Sequence, residues 1–161
     1  MLPRNLSYGM KIGVISDTHG LLRPEALAAL RGCNPILHAG DIGSAGLLRE
    51  LGEVARVIAV RGNNDKDSWA KPLRETEVVD VQGVLLYLLH DLYTLNLDPA
   101  AAGFRAVISG HSHRAKMEEK EGVLYFNPGS AGPRRFKLPV SVGTLTLHAG
   151  KLEGEIIELS V

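Results

Sequence analysis

The sequence predicts an α/β fold of two packed β-sheets with helices outside. Three observations lead there. Short β-branched runs alternate with helically spaced apolar residues in the first half, and strand-like runs follow one another across Gly-containing turns in the second. No linker in the 161 residues is long enough to separate the halves, so one domain over residues 1–161 is expected. A chain of that length buries roughly 70% of the surface it exposes when unfolded.

Each element has a local reason. Residues 11–16 (KIGVIS) read as a strand, and residues 24–30 (PEALAAL) as a helix with proline at its N-terminus. Residues 35–39 (PILHA) give a second strand. A second helix over 44–51 (SAGLLREL) opens on a serine cap, and a third, buried strand is expected over 54–60 (VARVIAV). Three strands alternating with helices imply a parallel sheet with right-handed crossovers. Beyond Pro72, VVDV and VLLYLLH flank a tight Gln82-Gly83 turn. A short helix is expected at 98–102 ahead of a buried strand at 106–109 (AVIS). From Ala115 onward the chain reads as antiparallel strands joined by turns.

Composition narrows the partners. Lys plus Arg and Asp plus Glu number 18 each, so no overall field draws the chain onto a polyanion, and long nucleic acid is not expected. The longest obvious apolar run, VLLYLL, falls far short of the ~18 residues of a membrane span. A single cysteine, Cys33, makes no internal disulfide, and a reducing, cytoplasmic compartment is expected. The leader MLPRNLSYG has no apolar core of a signal peptide, whereas MKIGVIS reads as a natural start. Residues 1–9 are therefore expected to be an N-terminal extension. Nothing in the sequence specifies a homo-oligomer.

The polar residues that close the apolar runs carry the chemistry. They are Asp17 and His19 (SDTHG), Asp41 (HAGDIG), Asn63, Asn64 and Asp65 (GNND), His90 (LLHD), and His111 with His113 (SGHSH). Ligands of open α/β sheets bind beyond such carboxyl ends. In D-x-H and H-x-H, an extended backbone would send both side chains from one face. Taken alone, D-x-H also fits a cap and GNND a plain turn; five segments delivering such residues to one rim fit a metal site. Carboxylate, imidazole and amide suit manganese, iron or zinc better than calcium. Seven ligands are too many for one ion and about right for two, with one carboxylate between them.

The ordered set D-x-H, GD, GN-x-D, H and GH-x-H resembles the calcineurin-like metallophosphoesterase superfamily, in particular its small single-domain bacterial and archaeal phosphodiesterases. The match runs from Lys11 to about Arg135 and includes NPGS at 127–130. The resemblance implies a four-layer αββα sandwich whose two mixed sheets are flanked by helices. It also implies two divalent ions, manganese first with iron, zinc or nickel as alternatives. Asp17, His19 and His113 would hold one ion, Asn63, His90 and His111 the other, and Asp41 would bridge. A bridging hydroxide would attack phosphorus in line. Together with two carboxylates it would leave the cluster at about +1, close to balancing a phosphodiester.

The same resemblance sets expectations for the remaining residues. At Asn64, larger phosphatases of the superfamily carry a histidine that can contact substrate or protonate the leaving group. An amide does not titrate, and a general acid is worth roughly 10²- to 10⁴-fold. A small phosphodiester is therefore the expected substrate, with Asn64 touching it and Asp65 orienting the loop or a ligand. Arg134 and Arg135 are candidate phosphate clamps. His38 is expected as a hydrogen-bonded core residue that can brace a ligand from behind. Asp91 stands where small family members commonly carry glycine. The alternative is a weakly active or inactive metal-pocket scaffold that binds proteins, similar to a retromer subunit, which also lacks the histidine at the position of Asn64.

Overall fold

Residues 9–161 are described by a computed structural model, so the expected extension lies outside the described residues but for Gly9. The first five elements alternate: β1 (Met10–Ile15), α1 (Pro24–Ala29), β2 (Ile36–His38), α2 (Ala45–Gly52) and β3 (Val57–Ala59). Seven strands follow: β4 (Thr76–Val81), β5 (Val84–Leu89), β6 (Phe104–Ile108), β7 (Lys116–Lys120), β8 (Val123–Asn127), β9 (Ser141–His148) and β10 (Lys151–Glu158).

They form two mixed five-stranded sheets, ordered β10-β9-β1-β2-β3 and β4-β5-β6-β8-β7. The parallel pairing of β1, β2 and β3 is the one expected. The second half supplies both sheets, because β9 returns antiparallel beside β1 and brings β10 with it. Gln82 and Gly83 both adopt positive φ, the geometry of a two-residue hairpin turn, and join β4 to β5.

Alternation along the strands builds the core. Ile12, Val14 and Leu37 of the first sheet face Leu86, Leu88, Ile108 and Phe126 of the second, all fully or almost fully buried. Each such side chain contributes about 1.5–3 kcal/mol on leaving water. The outer face of the first sheet is covered by α1 and α2 through Ala26, Leu30 and Leu51. Ser44 caps α2 by accepting from Leu47 N. On the second sheet the outer layer is thinner, a 3₁₀ turn at Leu92–Thr94 followed by a stretch that packs Leu95 and Leu97 on Tyr87 and Phe104. No helix among the described residues is long and apolar enough to cross a membrane.

Two local expectations are corrected. The third strand starts at Val57, not 54, and is half-buried because it is the edge of its sheet. Val54 and Ala55 belong to the turn after α2 and pack against the cluster beneath the helices. The short helix expected at 98–102 is a single turn, closed by Ala102 N donating to Asp98 O and ended when Phe104 N turns to Pro99 O.

Candidate metal centre

The carboxyl ends of β1, β2, β5 and β6, with the loop after β3, meet at one rim. The loops after β1 and β2 continue side by side beyond the strands: Asp17 N donates to Gly40 O, His19 N to Asp41 O and Gly20 N to Ile42 O. On the other sheet Gly110 N donates to His90 O. Contact between the loops requires missing side chains. A Cβ on Gly62 would strike Asp41 N and Oδ1, and one on Gly110 would strike Ser16 Oγ and crowd Asp17 Oδ2.

Extended geometry is not what makes the pairs converge. Asp17, His19, Asp41, His111 and His113 all adopt left-handed φ, between 46° and 70°. Non-glycine residues seldom adopt that region, and such strain collects where surrounding structure imposes it. Each ligand pair thus converges because a turn redirects both side chains.

Seven side chains assemble in two groups. His113 Nε2 lies 3.3 Å and His19 Nε2 3.9 Å from Asp17 Oδ1. Across the rim, Asn63 Oδ1 lies 2.9 Å from His90 Nε2 and 3.2 Å from His111 Nδ1. Asp41 Oδ2 stands between the groups, 3.3 Å from His90 Nε2 and 3.8 Å from His19 Nε2. Asp17 Oδ1 reaches across as well, 4.0 Å from His90 Nε2.

The donors are suited to cations. His90 Nδ1 is 2.7 Å from Ala39 O, so Nδ1 carries the hydrogen and the Nε2 lone pair faces the oxygens of Asn63 and Asp41. A cation placed there would complete the coordination of that lone pair and of both oxygens. Asp17 Oδ1 and His19 Nε2, both at the site, are buried without a hydrogen-bond partner. Two donors each ~2.1 Å from one ion stand roughly 3 to 3.4 Å apart, the range of several of these separations. The residues present fit divalent ions.

The electrostatics agree. Burial alone would raise Asp17, but the close His113, the hydrogen bond from Ser16 and the nearby His90 hold its carboxyl below the ordinary range. Asp41 is likewise pushed up by burial, yet His90 and the Asn64 backbone N–H bring it to about 2. His90 is lowered by burial and raised more by Asp41 and Asp17, a net upward shift that marks this part of the rim as favourable to positive charge.

Supporting residues hold the ligands. Asp17 Oδ2 accepts from Ser16 Oγ at 2.7 Å and His111 N at 3.0 Å, which leaves Oδ1 for the site. Asp65, almost fully buried, accepts from Ile42 N, Gly43 N and Gly62 N, tying the loops that carry Asp41 and Asn63. His38 is a core residue: its Nδ1 accepts from Gly40 N, and its Nε2 donates to Thr18 Oγ1, which donates to Ile42 O. Complete burial holds it neutral, with a pKa of about 4. Asn127 Nδ2 donates to Gly110 O and Ser112 Oγ, anchoring the loop of His111 and His113. Ser16, Thr18 and Asn127 were not singled out from sequence, and their only signal there is adjacency to ligands or the NPGS stretch.

Three further residues have partners within the fold. The side chain of Asn64 is turned toward Asp41, donating from Nδ2 to Oδ2 at 3.2 Å while its backbone N donates to Oδ1. Arg134 already gives its guanidinium to Val161 O and Leu138 O, which draws it toward the C-terminus instead of a phosphate; Arg135 is exposed. Asp91 uses one oxygen to accept from Tyr93 N and holds the other 3.9 Å from His111 Nε2.

Two mixed sheets whose joined rim gathers carboxylate, imidazole and amide side chains present a candidate site for divalent ions. Comparison with known proteins names the family. The calcineurin-like phosphoesterase superfamily domain matches residues 10–150, and the chain belongs to that superfamily. It is 36% identical to a probable metallophosphoesterase of Methanothermobacter thermautotrophicus, covering 92% of each chain. To a phosphodiesterase of Methanocaldococcus jannaschii it is 31% identical, over 74% of this chain and 83% of that one. Among solved structures, an archaeal phosphodiesterase is similar with a TM-score of 0.76 at 25% identity, over 92% of this chain and all of the other. Vacuolar Protein Sorting 29 from Cryptosporidium parvum shares the fold, with a TM-score of 0.75 at 21% identity over 96% of this chain and all of the other.

Proposed function

We propose that this protein is a phosphodiesterase acting on small diesters with two divalent ions, manganese first among them. The observation that carries the reading is Asp41, whose carboxylate stands between a group of Asp17, His19 and His113 and a group of Asn63, His90 and His111. In this reading the first group would hold one ion and the second the other, with Asp41 available to both. When bound, the ions supply a lowered pKa for water and positive charge against the phosphoryl oxygens.

The chain's own residues determine what is hydrolysed and how well. Asp17 and Asp41 remain ionised by virtue of their hydrogen bonds, so they offer lone pairs at neutral pH without losing a proton first. Hydrolysis joins a water oxygen to phosphorus and breaks the ester P–O bond opposite it. A monoester and an alcohol result, and the departing oxygen takes its proton from solvent. Asn64 has no proton to give it. Diesters and good leaving groups suffer least from that lack, and alkyl monoesters most. Asp65 acts through the loops it ties, and any arginine clamp on phosphate falls to Arg135. Balanced charge argues against long nucleic acid, and the buried free thiol of Cys33 suits a reducing, cytoplasmic setting.

Hydrolysis of bis-p-nitrophenyl phosphate with and without manganese tests the reading. The wild type should turn over only with metal, and Asp41→Ala should lose both turnover and metal loading. Full activity in Asp41→Ala would rule the scheme out. A folded, metal-loaded wild type with no activity on any diester would favour the scaffold reading.

A further inference from the structure

Next to the metal centre, a cavity of about 590 Å³ opens on the outer face of the second sheet. Its walls follow from strand geometry. Lys116, Glu118 and Lys120 alternate along β7 and so share one face, and all three line the cavity. Tyr125 of β8 pairs in register with Glu118, and Lys120 Nζ lies 5.4 Å from the centre of its ring. Tyr93 forms part of the opposite wall. Folding has not used it: Tyr93 is 98% exposed.

The cavity also shares a side chain with the metal centre. His111 lines it, while His111 Nδ1 faces Asn63 and His90. A molecule with its phosphorus at the centre therefore has a built recess for one of its ester arms. The volume lies in the range of small-molecule sites and is far more than a methyl or ethyl arm needs. Two tyrosines offer flat surfaces for stacking, which every aromatic ring can use irrespective of substituents. Lys116 and Lys120 bracket Glu118 at 3.1 and 3.9 Å, so the rim presents both donors and an acceptor to a heterocycle's edge.

We infer that this cavity is the specificity subsite of the enzyme and takes a planar aromatic arm of the phosphodiester, with a nucleoside as the chemical class that fits it. Tyr93 and Tyr125 hold the ring, and the lysines of β7 meet its polar edge. The inference rests on the phosphodiesterase reading for its substrate, but the arm's recognition is measured separately.

The test is calorimetric binding of adenosine 5′-monophosphate and of ribose 5-phosphate to the manganese-loaded protein, since the pair differs only by the base. The nucleotide should bind about tenfold tighter, the order expected for one stacked base. Tyr93→Ala and Tyr125→Leu should each remove most of that difference and leave the affinity for ribose 5-phosphate unchanged. Tyr93→Ala alters a residue that folding has left in solvent, and Tyr125→Leu keeps an apolar side chain against the outer cluster, so both variants should fold. Equal affinities in the wild type, or a preference that survives both substitutions, would overturn the inference. Turnover of bis-p-nitrophenyl phosphate in the same preparations separates the two ideas. Base preference without turnover sinks the phosphodiesterase reading alone, and turnover without base preference sinks the subsite alone.

Discussion

Asp65→Asn should loosen both the fold and the metal centre, although Asp65 faces neither group of ligands. Its carboxylate takes Ile42 N at 3.0 and 3.1 Å on its two oxygens, Gly43 N at 3.2 Å on Oδ1 and Gly62 N at 2.9 Å on Oδ2. Asparagine keeps one oxygen. Its best orientation leaves that oxygen with Ile42 and Gly43 and turns an NH₂ group toward Gly62 N, donor against donor. A hydrogen bond to a charged group is worth about 1.5–3 kcal/mol, and a buried N–H left without a partner costs about 1–3 kcal/mol. The two figures overlap, so a loss of about 3 kcal/mol is expected, a sizeable part of the ~5–15 kcal/mol that keeps a domain folded. Since the released loops carry Asp41 and Asn63, manganese affinity should fall by roughly 10- to 100-fold, as for other residues that orient ligands. Urea unfolding of the metal-free protein gives the first quantity and calorimetric titration the second. A variant within ~0.5 kcal/mol of wild type, with unchanged metal affinity, would refute the role assigned to Asp65.

Two further outcomes follow from the same geometry. Asn64→His should raise monoesterase relative to diesterase turnover, because an imidazole at that place can supply the proton that the amide cannot; an unchanged ratio of the two rates would remove position 64 from the account. His38, with a pKa of about 4 against an unfolded value of 6.5, must stay neutral to stay buried. Its contribution to stability is complete above 6.5 and fades as pH falls through 4, so the metal-free protein should lose on the order of 2–3 kcal/mol between pH 7 and 4.5 through this group. His38→Gln should lose less over that interval by the same amount, and parallel profiles for the two proteins would contradict it.

The sequence made the strands and the residues gathered at the rim readable because both rest on local signals. Apolar runs bounded by Gly, Asn and Asp mark strand ends, and Gln82-Gly83 is a hairpin turn on any reading. Sheet membership was not local. Whether β9 and β10 join β1 or β8 depends on which hydrophobic face remains uncovered, and nothing within residues 141–158 states that. Val54 and Ala55 were misassigned for a related reason: apolar residues that pack under a helix look like residues of the adjoining strand. The convergence of Asp17 with His19 was anticipated on the wrong geometry, since left-handed φ at both is imposed by the neighbouring loop after β2 and leaves no mark in D-x-H itself. Asn64 is read from sequence as a group that touches substrate, and the sequence is silent on its neighbours within the rim. Its amide donates to Asp41, a partner 23 positions away that only the folded rim supplies.

The most direct test is anomalous scattering from crystals of the manganese-loaded protein. Two peaks are expected, one within reach of Asp17, His19 and His113 and the other within reach of Asn63, His90 and His111, with the Asp41 carboxylate touching both. A single peak under saturating manganese, or two peaks of which neither touches Asp41, would contradict the account.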